Sequence, residues 1–210
     1  MTRSVTVFVV DDDDAVRSSL RLLLKSVGLP TVAYASAQEY LAAWHPDQPG
    51  CLVLDVRMPG MSGIELQAEL NHRGAIMPVI FISGHGDIPM AVEAIQHGAF
   101  DFLQKPFRDQ DLIDRVQRAL ASDGENRKLL LQRETLRQRF ESLTPREQEV
   151  LLLVTQGKAN KVMAGDLGVS QRTVEIHRAR VMEKMGAQSL AQLVRMMLEL
   201  ESDTPQSRVN

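Results

Sequence analysis

The chain has 210 residues, of which 44% are hydrophobic and 24% charged, a composition that allows one large or two modest domains with buried cores. No apolar stretch approaches the roughly 20 residues of a membrane-spanning helix, and the first residues lack the apolar segment of a secretory signal. The single cysteine, Cys51, excludes an intramolecular disulfide, and its apolar surroundings predict a small buried side chain. These features predict a soluble cytoplasmic protein.

Charge is distributed unevenly along the chain. Residues 1–121 hold 10 basic and 15 acidic residues, whereas residues 142–210 hold 9 and 8. Within 158–184 six basic residues stand against three acidic ones, which is a modest basic patch and a weak indication of nucleic-acid binding. The excess acid therefore lies in the first half, where Asp11 to Asp14 form a contiguous run of carboxylates.

Residues 1–121 alternate between strand and helix patterns. Apolar runs of strand length occupy 5–10, 31–34, 51–54, 79–82 and 100–103. Apolar residues at helical spacing occupy 15–25, 36–44, 64–72, 88–97 and 109–121. Five βα units in sequence predict an α/β fold, with a five-stranded parallel sheet and helices on both faces.

Polar side chains follow these strands at their carboxyl ends. They are Asp11 and Asp12 after the first strand, Asp55 at the end of the third, Ser83 after the fourth and Lys105 after the fifth. Parallel strands end at one edge of the sheet, so these side chains are expected to converge. Close carboxylates repel one another unless a cation lies among them, and oxygen ligands suit Mg²⁺. A carboxylate surrounded by Mg²⁺, a lysine and a hydroxyl can accept a phosphoryl group, which predicts Asp55 as the nucleophile.

Residues 1–121 resemble the receiver domain of two-component response regulators over their whole length, which implies a flavodoxin-like sheet. The order and spacing of four motifs are jointly specific to that family. The motifs are Val-Asp11-Asp12-Asp, Leu-Asp55-Val-Arg-Met-Pro-Gly-Met-Ser-Gly, Ile-Ser83-Gly-His-Gly-Asp and Asp-Phe102-Leu-Gln-Lys105-Pro-Phe.

The resemblance implies a metal site. Asp12 and Asp55 would bind Mg²⁺ directly, together with the backbone carbonyl of Arg57, and Asp11 would act through water. Asp13 and Asp14 are alternatives as ligands, but carboxylates in the first turn of a helix are favoured by its dipole, and that interpretation is preferred.

The resemblance also implies a conformational switch. Ser83 takes the place of the family's switch hydroxyl and Phe102 that of its switch aromatic residue, and the Lys105–Pro106 bond is implied to be cis. His85 lies two residues after Ser83, where it either influences hydrolysis of the phosphoryl group or is a plain loop residue. The five histidines show no metal-ligand spacing.

Residues 122–141 are predicted to be a helical linker. The run from Ser122 to Asn126 breaks the apolar periodicity and predicts a boundary, whereas 127–140 is rich in helix-forming residues. Leu129, Leu136 and Leu143 are seven residues apart, but a stable coiled coil needs more heptads than this. The linker is therefore expected either to pair weakly between subunits or to act as a solvated spacer.

Residues 142–205 predict four short helices, and 206–210 a tail. Thr144 is a predicted N-cap, and Glu147 completes a capping box with it. The later helices are predicted over 160–167, 170–185 and 189–200. Two short helices joined by Gly168-Val-Ser form a helix-turn-helix arrangement, which also occurs in proteins that never bind DNA.

The helix over 171–185 has two faces. The stripe expected to pack inward is Val174, His177, Val181 and Met185, with His177 interpreted as a core histidine in preference to a base contact. The opposite stripe is Arg172, Glu175, Ile176, Ala179 and Glu183, flanked by Arg178, Arg180 and Lys184. Small and mixed polar residues framed by cations suit a helix in the DNA major groove.

The second half resembles the LuxR-type helix-turn-helix domain over 142–200. The matching runs are Leu-Thr-Pro-Arg-Glu-Gln-Glu-Val-Leu, Gly-Lys-Ala-Asn160-Lys161 and Val-Ser-Gln-Arg-Thr173-Val-Glu-Ile-His. Many relatives have lysine in the place of Glu175, whereas the run from Thr173 to Met185 resembles the FixJ branch. The resemblance implies DNA contacts by Asn160, Lys161, Arg172, Thr173, Glu175, Ile176, Arg178, Ala179, Arg180 and Lys184.

Together the two resemblances imply a FixJ-like response regulator in which a sensor histidine kinase phosphorylates Asp55. Phosphorylation would promote formation of a homodimer on promoter DNA, with RNA polymerase as a further partner and activation of transcription as the output. A constitutive DNA-binding regulator with a silent receiver remains an alternative. A Mg²⁺-dependent phosphatase is a second alternative, although Arg57 occupies the place where such enzymes usually have another carboxylate.

Overall fold

The computed structural model describes residues 4–84 and 88–201. The chain divides between Arg127 and Lys128 into two compact units, each of which is described by itself. His85 and the predicted tail at 206–210 lie outside the described residues. Within the described part of the chain, no helix is long and apolar enough to cross a bilayer.

The first unit is built around a parallel sheet. Its strands are β1 (Thr6–Val10), β2 (Thr31–Tyr34), β3 (Gly50–Asp55), β4 (Val79–Ser83) and β5 (Asp101–Gln104). Its helices are α1 (Asp14–Ser26), α2 (Ala37–Ala43), α3 (Gly63–His72), α4 (Ile88–Gln96) and α5 (Asp109–Glu141), the last of which extends past the division between the units. The strand order is β2-β1-β3-β4-β5 with parallel pairing throughout, which confirms the predicted α/β fold.

Helices cover both faces of this sheet because alternate residues of its central strand point to opposite sides. Leu52 and Leu54 are fully buried in a cluster with residues of α2, α3 and α4. Cys51 and Val53 are fully buried in a second cluster with residues of α1 and α5. Burial raises the pKa of the Cys51 thiol to about 12, with a further contribution from the charge of Asp123. The prediction of a small buried cysteine side chain is confirmed.

The turn after β3 approaches the strand end closely. Ser62 caps α3 through a reciprocal capping box, in which its hydroxyl accepts from the Glu65 N–H and the Glu65 carboxylate accepts from the Ser62 N–H. A Cβ atom on Gly63 would lie 2.2 Å from the Asp55 carbonyl oxygen. Only glycine therefore lets α3 begin this close to the end of β3.

Helix α5 differs most from its prediction. The break expected from Ser122 to Asn126 is wrong, because α5 continues through these residues to Glu141. The sequence shows Gly124 and short polar residues, which are weak helix formers. The helix persists because the side chain of Asp123 is buried and accepts a tertiary hydrogen bond from the N–H of Gly50.

The second unit confirms the four predicted helices. They are α6 (Pro145–Thr155), α7 (Asn160–Leu167), α8 (Gln171–Met185) and α9 (Leu190–Glu201). Thr144 and Glu147 form the predicted capping box at the start of α6. Helices α6, α8 and α9 pack on one another around buried residues such as Val150, Val181 and Leu193.

The predicted leucine seam of the linker is largely internal to this unit. Leu136 and Leu143 are 6% and 4% exposed and pack in the same core as α6 and α8. Only Leu129 of the three is substantially exposed, at 52%. Two of the three leucines are thus buried within the second unit of their own chain. A coiled coil between subunits along all three positions therefore does not agree with the structure.

Gly63→Ala tests the close approach at the end of β3. The added methyl group would press on the Asp55 carbonyl, so we expect the free energy of unfolding to fall by about 1–3 kcal/mol. Urea unfolding followed by the fluorescence of Trp44, the single tryptophan, measures this. The control is Gly124→Ala, where nothing lies within 4 Å of the added Cβ and the helix should gain about 0.5–1 kcal/mol. Equal stability of the two variants would contradict the packing described.

Lys184→Met tests an ion pair that supports α6. The Lys184 Nζ lies 2.6 Å from Glu147 Oε2, and this hydrogen bond, with that from the Thr144 N–H, lowers the pKa of Glu147 below its ordinary 4.5. A lowered carboxyl pKa stabilises the fold above the unfolded pKa, and the contribution is lost as the pH falls through the folded value.

We therefore expect Lys184→Met to lower the melting temperature at pH 7 and the difference from wild type to shrink as the pH falls below 4.5. Thermal unfolding across this pH range, with Lys161→Met as an exposed control, measures it. A difference that stays constant with pH would contradict the assignment.

Candidate functional site

One lysine joins two carboxylates at the carboxyl edge of the sheet. Asp11 directly follows β1, Asp55 ends β3, and Lys105 directly follows β5. The Lys105 Nζ donates to Asp11 Oδ2 at 2.9 Å and to Asp55 Oδ1 at 2.8 Å. The side chains of Asp11 and Asp55 are 1% and 11% exposed, so this ammonium is close to two carboxylates that have little access to water.

The pKa of Asp55 is raised above its ordinary value of 3.8. Burial is the largest cause because it penalises the charged form, and the nearby charge of Asp11 acts in the same direction. The hydrogen bond from Lys105 and that from the backbone N–H of Arg57 oppose the rise without cancelling it. Asp55 is thus a desolvated carboxylate whose charge is only partly compensated by the chain.

The pKa of Lys105 is also raised, from an ordinary 10.5. Burial alone would lower it, but the hydrogen bonds to Asp55 and Asp11 and the charges of both carboxylates outweigh burial. In a simple exposed pair the carboxyl pKa would fall while the ammonium pKa rose. Here the carboxyl pKa rises as well, since desolvation dominates at Asp55. Lys105 therefore remains a positive charge in any physiological buffer.

The acidic run after β1 separates into different roles. Asp11 Oδ1 accepts from the Asp13 N–H, which closes the loop on itself. The Asp13 side chain caps α1 by accepting from the N–H of Ala15, and Asp14 stands in the first turn of that helix. The interpretation of Asp13 and Asp14 as helix-start carboxylates is confirmed. Asp12, between Asp11 and Asp13, is exposed.

Arg17 is a residue at this edge that the sequence reasoning missed. Its Nη1 donates to the backbone carbonyl of Asp11 at 2.7 Å, and its Nη2 lies 2.9 Å from Asp14 Oδ1. The spacing of Asp14 and Arg17 along one helix face could have indicated the ion pair. The contact with the Asp11 carbonyl depends on the path of the loop, so no local pattern predicts it.

The predicted switch residues lie in β4 and β5, the two strands beyond β3 in the sheet. Ser83 is the last residue of β4 and is 1% exposed. Phe102, in β5, is half-buried and packs against the cluster formed with α2, α3 and α4. The Arg57 Nη2 lies 3.9 Å from the sulfur of Met90 in α4. The Lys105–Pro106 peptide bond is cis, as the resemblance implied.

In the second unit, α8 has the two faces that its sequence predicts. Val174, Val181 and Met185 are fully or almost fully buried. His177 is half-buried with its Nδ1 enclosed, which agrees with a histidine of the inner face. The exposed residues of the predicted DNA-contacting set on this helix are Arg172, Glu175, Ile176, Ala179 and Arg180. Ile176 is 46% exposed, so the polar face has an apolar residue at its centre.

Two further candidates connect α7 to α8. Arg178 Nη1 donates to the Asn160 side-chain oxygen at 2.6 Å. Ser170 caps α8 by accepting from the Thr173 N–H, and the hydroxyl groups of Ser170 and Thr173 are 2.8 Å apart. The structure thus brings Asn160 and Arg178 together and places Thr173 at the start of α8. Lys161 is exposed in the first turn of α7.

Lys184 differs from the other cations of α8. Besides Glu147, its Nζ contacts the Ser142 carbonyl at 3.1 Å, so its charge is used within the unit. The Glu147 side chain is only 3% exposed, and removing its partner would leave a buried carboxylate without an ion pair. The structure therefore gives Lys184 a stabilising role, and a phosphate contact would have to compete with it.

The sequence of each unit matches a described family. A profile described as "Response regulator receiver domain" matches residues 7–117, and one described as "Bacterial regulatory proteins, luxR family" matches residues 141–197. The chain is 52% identical over 190 residues to nodulation protein W of Bradyrhizobium diazoefficiens, covering 90% of this chain and 84% of that protein. It is 51% identical over 198 residues to the transcriptional regulatory protein FixJ of Azorhizobium caulinodans, covering 94% of each.

Solved structures give the same assignment. The response regulator StyR superposes with a TM-score of 0.86 at 47% identity, over 92% of this chain and 98% of that one. Full-length FixJ from B. japonicum superposes with a TM-score of 0.59 at 39% identity, over 97% and 100%. With a receiver unit that carries the Asp11, Asp55 and Lys105 group and a helix-turn-helix unit, the chain belongs to the FixJ-type two-component response regulators and is a transcription factor with a LuxR-type DNA-binding domain.

Proposed function

We propose that Asp55 accepts a phosphoryl group from a sensor histidine kinase and that this modification controls promoter binding by the second unit. The observation that supports this is the Lys105 ammonium, 2.8 Å from Asp55 and 2.9 Å from Asp11. A fixed cation beside an attacking carboxylate stabilises negative charge as it develops on a transferring phosphoryl group. The raised pKa of Lys105 keeps its ammonium group positively charged at physiological pH.

Mg²⁺ fits the oxygen atoms at this edge of the sheet. Asp11, Asp55 and Lys105 together have a net charge of −1, and the exposed carboxylate of Asp12 lies in the same loop as Asp11. Among the residues the structure describes, no three metal-ligating side chains are already clustered. Mg²⁺ binds proteins through few carboxylates and keeps several waters. We assign Asp12, Asp55 and the Arg57 carbonyl as its direct ligands, with Asp11 acting through water.

The chemistry that the ion would supply is neutralisation of charge on the phosphoryl oxygens. The chain's own residues orient the acceptor. Lys105 and the Arg57 N–H each hold one oxygen of Asp55, which fixes the plane of its carboxylate. The Gly63 N–H donates to the Val56 carbonyl at 2.9 Å, which keeps the start of α3 against the end of β3.

The proposed switch follows from the new charge. A phosphoryl group on Asp55 would attract the Ser83 hydroxyl and Lys105, and Phe102 would turn further inward. This local electrostatic change would alter the surface formed by residues 88–107 and favour a homodimer. Val92 and Ile95 of α4 are 52% and 48% exposed, so this surface already has apolar side chains for a second copy to cover.

The proposed DNA interface is the exposed face of α8. Glu175, Ile176 and Ala179 would contact base edges, while Lys161, Arg178, Arg180 and Lys184 would hold phosphates, Lys184 in competition with its ion pair to Glu147. Asn160 of α7 and Arg172 and Thr173 at the start of α8 would extend the contact. Paired helices of a dimer would bind half-sites roughly one helical turn apart. Activation of transcription through RNA polymerase is the proposed output.

The other functions receive less support. A constitutive regulator would not need a buried carboxylate pair held by an ammonium, which costs desolvation energy. A phosphatase with an aspartyl nucleophile would need a second acid near Asp55, but position 57 is an arginine whose guanidinium approaches Met90. The proposed domain boundaries remain residues 1–121 for the receiver domain and residues 142–205 for the DNA-binding domain.

Asp55→Asn tests the phosphorylation switch. We expect acetyl phosphate with Mg²⁺ to tighten binding of the wild type to its promoter fragments and to leave the variant unchanged, because an amide cannot form an acyl phosphate. Selection from a genomic fragment library followed by titration of each fragment measures this. Equal binding by both proteins with and without phosphodonor would instead establish a constitutive DNA-binding protein.

Arg180→Ala and Glu175→Ala separate the two kinds of DNA contact. Loss of a phosphate contact should weaken binding to all sequences and reduce the slope of log K against log salt by about 1. Loss of a base contact should relax discrimination at one base pair by roughly 1–3 kcal/mol and leave the salt slope unchanged. Titrations at several salt concentrations against single-base variants of one site measure both. The same change in both variants would contradict the proposed orientation of α8.

A further inference from the structure

A second buried carboxylate lies far along the chain from the phosphoacceptor group. Asp123, in α5, is 1% exposed. Its Oδ2 accepts from the backbone N–H of Gly50 at 2.9 Å and from Arg127 Nε at 2.8 Å. Its Oδ1 has no hydrogen-bond partner among the described residues. The negative charge of Asp123 is therefore compensated at one oxygen only, and mainly by Arg127.

Arg127 connects this turn of the helix to the loop before β3. Its Nη2 donates to the Gln48 carbonyl at 2.6 Å and its Nη1 to the Pro46 carbonyl at 3.4 Å. The guanidinium thus contacts the Asp123 carboxylate and two loop carbonyls at once, and its side chain is only 22% exposed. The guanidinium donates from three different nitrogens, whereas the three N–H donors of a lysine leave from a single nitrogen and could not reach all of these acceptors together.

Gly50 fixes the other side of the contact. A Cβ atom at this position would lie 1.9 Å from the Thr6 carbonyl oxygen, and φ is +152°. Gly50 is the first residue of β3, and Asp55 is its last. The N–H that holds Asp123 therefore belongs to the strand that also bears the predicted phosphoacceptor. We call Gly50, Asp123 and Arg127, with the Pro46 and Gln48 carbonyls, the α5 clamp.

The clamp explains why α5 is continuous where its sequence predicts a break. Gly124 and Asn126 favour non-helical conformations, and Asp123 alone would compete with the helix for backbone hydrogen bonds. With Asp123 and Arg127 both held by the first unit, residues 123 and 127 are fixed on one helix face at i and i+4. The same helix later contributes Leu136 to the core of the second unit.

We propose that Asp123 and Arg127 are positioning residues that hold α5 rigid where it leaves the receiver, and that this rigidity is required for phosphorylation of Asp55 to affect DNA binding. The inference rests on the proposed function, because it concerns how the output of that site is transmitted. A state of the receiver can change an equilibrium in the second unit only through differences in interaction free energy. A helix that frays at 122–127 would become a flexible tether and would reduce those differences to what dimerisation of the receiver supplies by itself.

The experiment compares four full-length variants with the wild type. Arg127→Ala removes the clamp cation, and Asp123→Asn keeps an acceptor for Gly50 but removes the charge that Arg127 pairs with. Arg127→Lys keeps the charge but has all of its donors on one nitrogen, and is expected to lie between Arg127→Ala and the wild type. Lys128→Ala is the matched control, since it removes a cation from the adjacent, exposed position of the same helix.

Three quantities are measured for each protein. They are the extent of Asp55 phosphorylation by acetyl phosphate, from intact mass, the hydrogen exchange of the amides over 120–131, and the ratio of DNA affinities with and without phosphodonor. We expect Arg127→Ala and Asp123→Asn to phosphorylate like the wild type and to exchange faster over 120–131. In these two variants the ratio of DNA affinities with and without phosphodonor should be at least about fivefold smaller than in the wild type. Fivefold is the lower end of ordinary allosteric coupling. Lys128→Ala should match the wild type in all three.

The outcomes distinguish this proposal from the one on which it rests. If the DNA affinity of the wild-type protein does not change with phosphodonor, the proposed function is overturned, and the proposed role of the clamp with it. A wild type that responds, together with clamp variants that respond equally, overturns the clamp alone. Unchanged exchange over 120–131 in both clamp variants also overturns it, because the helix then does not depend on these side chains. If Arg127→Ala fails to fold, Asp123→Asn and Arg127→Lys decide by the same criteria.

Discussion

The receiver unit depends on one ammonium placed between two carboxylates. Asp11 and Asp55 have little access to water, and two such charges close together would be strongly unfavourable without a counter-charge. Lys105 supplies it, and the hydrogen bonds to both carboxylates offset the desolvation of its own charge. The compensation is incomplete, because the pKa of Asp55 remains raised. A site that keeps excess negative charge at its centre is suited to a cation, and that cation would also offset the charge of a transferring phosphoryl group.

Much of this site could be predicted because it depends on features local in sequence. The end of a buried strand is recognisable from its apolar run, and all parallel strands end at the same edge. Asp55 and Lys105 are therefore brought together by topology, although 50 residues separate them. Helix starts were predictable for a similar reason. The capping box of Thr144 and Glu147 and the cap of Ser62 act within three residues, so their signals are complete in the sequence.

What could not be predicted depends on contacts between distant segments. Asp123 and Gly50 are 73 residues apart, and nothing in the polar run around Asp123 shows that its carboxylate is buried. The local helix propensity favoured a break at these residues. The helix forms nevertheless, because Asp123 and Arg127 make tertiary hydrogen bonds to Gly50 and to the loop before it. The heptad spacing of Leu136 and Leu143 gave an equally incomplete signal, because it indicates an apolar face without showing which surface that face covers. In this chain the surface is the core of the second unit.

The C-terminal end of α8 makes contacts within the second unit, and these contacts limit which residues of the helix are available for the proposed contact with DNA. At its C-terminal end, Arg139 of α5 donates to the Met185 carbonyl at 3.0 Å, where a cation is favoured by the helix dipole. A Cβ atom on the following residue, Gly186, would lie 2.7 Å from that guanidinium, which would then have to shift. Lys184 in the last turn is paired with Glu147. With both cations near this end engaged within the unit, the proposed DNA contacts of α8 fall mainly on its exposed residues from 172 to 180.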